Sequence, residues 1–133
     1  MSRYEKTNNR PTDYSSWHRT LPNSCPTTDI DFVEIRNNVI KALVEVKNNG
    51  VDIQDWQKNV YIELAKKLEC AAYFIRYTIN EFNYNDNIFN VTNLITNESY
   101  TNITEDIFRE FMKDFDEKIL IKNNLNQDDL SNW

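Results

Sequence analysis

The chain has 133 residues, of which 40% are hydrophobic and 13% aromatic, enough for one compact core without disulfide or metal staples. It contains no apolar stretch long enough to span a bilayer, and Met1-Ser2-Arg3-Tyr4-Glu5-Lys6 is too polar for a signal peptide, which predicts a cytoplasmic protein. The formal net charge of -6 excludes an indiscriminate nucleic-acid coat, because nonspecific affinity comes largely from neutralised phosphates. It does not exclude a nuclease, since an empty metal site is itself anionic and a bound metal reverses the local field.

Two cysteines, Cys25 and Cys70, lie far apart and lack metal-ligand spacing, so they read as incidental thiols. Sequons begin at Asn90, Asn97 and Asn102, as expected by chance in a chain this rich in asparagine. All three prolines, Pro11, Pro22 and Pro26, fall near the beginning, which makes that the irregular part. Residues 12 to 21 predict a short helix, with Thr12 or Asp13 as N-cap and Trp17 and Leu21 on one side at i and i+4. Pro22 to Thr28 is then a loop.

Residues 29 to 36 alternate as a strand, Asn37-Asn38 suits a tight turn, and residues 39 to 47 form the return strand of a hairpin. After Asn48-Asn49-Gly50, Asp52 is positioned to cap a helix from about Ile53 to Glu69, where Val60, Tyr61, Leu64, Ala65 and Leu68 recur at helical intervals. Residues 71 to 79 are aromatic or β-branched and predict a largely buried strand, and residues 88 to 95 predict another. Thr104 is placed to cap a last helix, with Glu105 and Asp106 in its first turn and Ile107, Phe108, Phe111, Met112 and Phe115 turned inward. The domain is expected to run from residue 1 to 122, followed by an acidic tail over 123 to 133. Nothing in the sequence divides it further.

Chemistry concentrates on the hairpin. The period of two puts Glu45 and Lys47 on one face of the return strand, and Asp31 reaches the same point from its neighbour. Two carboxylates can hold Mg2+ or Mn2+ through oxygen, with a lysine beside the water or phosphate that the metal activates. Asp29 shares the parity of Asp31 and stays open as the alternative ligand. His18 and Arg19, next to Trp17, are candidates for holding a phosphate or stacking near a base.

Asp31, then Glu45-Val46-Lys47, then Gln57-Lys58-Asn59-Val60-Tyr61 resemble the PD-(D/E)xK nuclease superfamily, either its RecB-like members, whose helix signature is Gln-x-x-x-Tyr, or its small Holliday-junction-resolvase-like nucleases. The likeness covers about residues 12 to 95. It implies a restriction-endonuclease-like α/β fold, with a mixed central sheet flanked by helices and the site on a β-hairpin. It also implies an endonuclease-type phosphodiester hydrolase acting on DNA, dependent on Mg2+ or Mn2+, with a homodimer as one form it can take. Asp31, Glu45 and the backbone carbonyl of Val46 would then be metal ligands, Lys47 and Gln57 would serve catalysis, and Tyr61 would join His18 and Arg19 on the substrate side while bracing the helix. Asp29-Ile30-Asp31 stands where a Pro-Asp pair is usual, and the upstream helical acid of some members has no clear match. The alternative from another class is a noncatalytic nuclease-fold module, such as an inhibitor whose acidic surface meets a basic protein.

Overall fold

The computed structural model describes residues 12–121. Asn37 and Asn38 take φ values of 51° and 64°, the left-handed pair that a two-residue hairpin turn requires and that asparagine tolerates. They join β1 (Phe32–Arg36) to β2 (Val39–Asn48) as an antiparallel hairpin. The chain then passes Gly50 at φ 91° and enters α2 (Asp55–Leu68), which crosses over so that β3 (Ala71–Thr78) returns parallel to β2. Antiparallel pairing adds β4 (Ile88–Asn93) and β5 (Ser99–Thr104), giving a five-stranded mixed sheet in chain order from β1 to β5. Helix α1 (Thr12–His18) precedes the sheet, α3 (Glu105–Asp114) follows it, and residues 117–121 are again helical. The protein is thus a mixed α/β fold with helices flanking the sheet.

Both faces of the central strands are covered, which is why their sequences read as nearly continuous apolar runs. One face sends Ala42, Val44, Tyr73, Ile75, Val91 and Ile103 against Phe111, Leu120 and the neighbouring aromatics of α3. The other sends Leu43, Ala72 and Phe74 against Tyr61 and Ala65 of α2. Alternation along β2 therefore commits Glu45 and Lys47 to the α2 side.

The hairpin is tied to the second helix layer by Arg36. Its Nε and Nη2 donate to the carbonyls of Lys113 and Met112 at 3.0 and 2.7 Å, and its guanidinium lies 5.0 Å from the centre of the Phe115 ring. A cation thus meets the negative end of the α3 dipole. Beyond α3, Glu117 accepts from Tyr73 and Asn93 at 2.9 Å each and from Tyr100 at 3.0 Å, anchoring the last helical segment to three strands.

Several elements differ from the sequence expectation. The first helix ends at His18, short of Leu21, so Trp17 and Leu21 do not share a helix side, and Trp17 is 55% exposed. Asp52 does not cap α2: Gln54 occupies the N-cap position, and Asp52 pairs with Arg76 at 3.4 Å. Thr104 does stand at the N-cap of α3, but its side chain makes no capping hydrogen bond. The strand expected to reach Ile95 stops at Asn93, whose Oδ1 accepts from the Ile95 and Thr96 amides and turns the chain.

Strand β5 was not expected at all. Its buried residues Tyr100 and Ile103 are three apart, because Asn102 at φ 57° sits in an irregularity that breaks the period of two. The expected tail over 123 to 133 lies outside the described residues.

Candidate active site

The α2-facing side of the hairpin end carries the polar cluster. β1 and β2 pair Phe32 with Val44, so Asp31, just before β1, comes opposite Glu45. Asp31 Oδ2 accepts the Val46 amide at 3.0 Å, a cross-strand contact that locks the carboxylate at the strand end. From the helix, the Tyr61 hydroxyl donates to Glu45 Oε2 at 2.5 Å and accepts the Asp31 amide at 3.2 Å. Gln57, one turn earlier on the same helix face, donates to Glu45 Oε1 at 3.3 Å and to the Thr28 hydroxyl at 3.2 Å. Lys47 Nζ lies 3.5 Å from Glu45 Oε1.

The side chains of Glu45, Lys47, Gln57 and Tyr61 therefore meet at one end of the hairpin, and Asp31 joins them through its amide on Tyr61 and its carboxylate on the Val46 amide. Glu45 is 3% exposed and Tyr61 fully buried, while Lys47 and Gln57 are half-buried at the rim. A buried carboxylate is costly unless compensated, and three donors surround this one. Desolvation, reinforced by the hydrogen bond to Glu45, pushes the Tyr61 phenol well above its ordinary pKa, so the hydroxyl stays a donor throughout the physiological range.

Burial moves two residues away from their expected roles. Tyr61 was expected on the substrate side, but a fully buried side chain cannot touch a polymer in solvent, and it orients Glu45 instead. Glu45, expected as a metal ligand on the hairpin, is buried beneath α2. Val46, whose carbonyl was expected to face a metal, meets Asp31 through its amide. Asp29 is exposed and lines a separate cavity with His18 and Arg19, whereas Asp31 belongs to the Glu45 network.

Two neighbours escaped sequence reasoning. Thr28 was read as loop, yet its hydroxyl seats Gln57. Arg76 was read as part of a buried strand, yet β3 brings it into register with Lys47 on the α2 face, 32% exposed, next to Asp52. A single arginine inside Ala71–Thr78 was the available signal, because an apolar strand interrupts its pattern with a cation only where that cation reaches solvent or a partner.

The oxygen donors suit a hard divalent cation such as Mg2+ or Mn2+ better than a soft metal. Among the described residues, no group of three or more His, Cys, Asp or Glu side chains comes together. Asp31 and Glu45 would supply two carboxylate ligands, the remainder coming from backbone oxygen, water or substrate phosphate, as Mg2+ commonly accepts. Among the described helices, none is long and apolar enough to cross a membrane. The chain matches no protein-family model, no curated protein and no solved structure.

Proposed function

We propose that this protein is a metal-dependent nuclease of the PD-(D/E)xK kind, hydrolysing phosphodiester bonds in DNA with Mg2+ or Mn2+. The observation that carries the reading is the convergence of Asp31, Glu45, Lys47 and Gln57 at one end of the hairpin. Residues distant in sequence meet there with the types that phosphodiester cleavage needs: two carboxylates, a cation and an amide. The divalent ion, when bound by Asp31 and Glu45, would polarise the scissile phosphate and make water a better nucleophile.

The chain's own residues do the positioning. Tyr61 and Gln57 fix the Glu45 carboxylate so that it does not reorganise during the reaction. Lys47, half-exposed beside it, holds the attacking water or the developing negative charge on phosphorus. His18 and Arg19 lie on the Thr28 side of the cluster, where they serve an adjoining phosphate. A cytoplasmic protein that works as a homodimer on two strands belongs to the same proposal.

The alternative is a noncatalytic binding module that keeps this arrangement, favoured by the net charge of -6. A cleavage panel decides: labelled single-stranded, duplex, flap and four-way-junction DNA, incubated with Mg2+, Mn2+ or EDTA. The nuclease reading requires cleavage of at least one substrate that stops in EDTA and in Lys47→Ala. No cleavage of any substrate, together with no Mn2+ affinity, refutes it.

A further inference from the structure

Beside the cluster lies a cavity of about 250 Å³ whose lining includes Tyr14, His18, Arg19, Thr27, Thr28 and Asp29. That is below the roughly 300 to 1,000 Å³ of sites for drug-sized ligands, so it suits one small planar group with a polar edge. Two of its lining residues, Tyr14 and His18, carry rings, and Trp17 packs against Tyr14 from outside the lining. The Tyr14 ring lies 5.6 Å from Trp17 and 6.2 Å from His18, and Tyr14 and Trp17 are 62% and 55% exposed. Two large rings held side by side in solvent on a seven-residue helix bury little for the fold, and they offer π-faces to a ligand.

The cavity adjoins the candidate active site at Thr28. That residue lines the cavity while its hydroxyl accepts from Gln57, which also donates to Glu45. Thr28 and Gln57 thus stand between a group seated in the cavity and the Glu45 carboxylate. Arg19 supplies a cation at the cavity, and His18 adds a second group able to hydrogen-bond a phosphate.

We infer that this cavity is a subsite for an unpaired nucleotide of single-stranded DNA or RNA, its base stacked on the Tyr14 ring, against which Trp17 packs, and its phosphate on Arg19. The inference rests on the nuclease reading for its place beside the reacting phosphate, and it specifies the substrate: a strand whose base at this position is not paired. A base within a duplex has its faces covered by its neighbours and offers none to Tyr14. Stacking also suits a chain with net charge -6, because it supplies affinity that a long tract of phosphate contacts supplies in basic proteins.

The test measures binding in EDTA, where no cleavage occurs, so its result is independent of the catalytic proposal. Fluorescence anisotropy is read with 5′-labelled 12-mer oligothymidylate, 12-mer oligouridylate and a blunt 12-base-pair duplex, for wild type, Tyr14→Ala, Tyr14→Phe and Trp17→Ala. Wild type is expected to bind at least one single strand about tenfold more tightly than the duplex, with both alanine variants weakening that single-strand binding roughly tenfold and Tyr14→Phe retaining it. Preference for one of the two single strands tells DNA from RNA. Equal affinity for single strand and duplex, or wild-type affinity in both alanine variants, overturns the subsite. Circular dichroism melts of the exposed-residue variants show that they remain folded. Metal-dependent cleavage with no single-strand preference sinks the subsite alone, and single-strand preference with no cleavage sinks the nuclease reading alone.

Discussion

The Tyr61 hydroxyl joins the two candidate acids, donating to Glu45 Oε2 at 2.5 Å while accepting the backbone amide of Asp31 at 3.2 Å. One oxygen on α2 thus fixes both the carboxylate on β2 and the chain just before β1. Tyr61→Phe keeps the packing of a fully buried ring but leaves Glu45 short of a donor. The expected cost is about 1 to 3 kcal/mol in urea denaturation, with a fall in cleavage rate beyond any loss of folded protein. Tyr61→Ala adds a cavity and is expected to cost about 3 to 5 kcal/mol. Unchanged stability and rate in Tyr61→Phe would show that the hydroxyl orients nothing.

Burial of Glu45 decides which substitution tests it. Alanine would leave Tyr61 and Gln57 facing a hole, so Glu45→Gln, of nearly the same shape, separates charge from packing. Glu45→Gln and Lys47→Ala are each expected to lower cleavage by roughly 100-fold or more while remaining folded. Calorimetry with Mn2+ is expected to show binding lost in Asp31→Asn and largely kept in Asp29→Asn, because Asp31 comes opposite Glu45 and its amide shares the Tyr61 hydroxyl with it. The reverse order would transfer the ligand role to Asp29.

Gln57 is half-buried and bridges Thr28 to Glu45. Gln57→Ala is expected to reduce turnover strongly while shifting the melting temperature little, since the site opens to water without leaving a closed cavity. Full activity in this variant on every substrate cut by wild type would make the Gln-x-x-x-Tyr spacing a coincidence.

Alkaline pH tests the two buried tyrosines that donate to Glu117. Burial first, and then the hydrogen bond to Glu117, hold the phenol of Tyr73 above its ordinary pKa of 10.0, and burial acts likewise on Tyr100 with Glu98 and Glu117 beside it. In the unfolded chain these phenols ionise near their ordinary value, whereas the native state keeps their protons. Their contribution is fully present below about pH 10 and is lost as pH rises through the folded values. Urea midpoints between about pH 8 and pH 11 are expected to fall less steeply in Tyr73→Phe than in wild type. Parallel pH profiles would mean that Tyr73 ionises alike in both states.

Arg36 offers a check on how the hairpin is held. Arg36→Ala removes two hydrogen bonds to the last carbonyls of α3 and the contact with Phe115. A loss of about 1 to 3 kcal/mol is expected, with Arg36→Lys restoring only part of it, because an ammonium lacks the planar fork that reaches both carbonyls. Thermal melts of the three proteins measure this directly.

Local pattern determined much of the architecture. Asn37-Asn38 specifies a two-residue turn through its tolerance of positive φ, and the apolar spacing from Val60 to Leu68 specifies a helix. The period of two put Glu45 and Lys47 on one face before any neighbour was known. These are short-range steric and periodic rules, which a sequence states directly. The rest depends on contacts between distant segments. Tyr61 looks like any core aromatic until the packing of α2 on the sheet sets its hydroxyl between Asp31 and Glu45. Arg76 stands beside Lys47 only because the crossover makes β2 and β3 parallel and in register. β5 stayed hidden because a local irregularity broke its alternation, and only pairing with β4 stabilises so polar a strand. The burial of Glu45 was decided by the tertiary fold alone, for the cost of hiding a charge is offset by Tyr61, Gln57 and Lys47, two of them supplied by a helix that follows it in the chain.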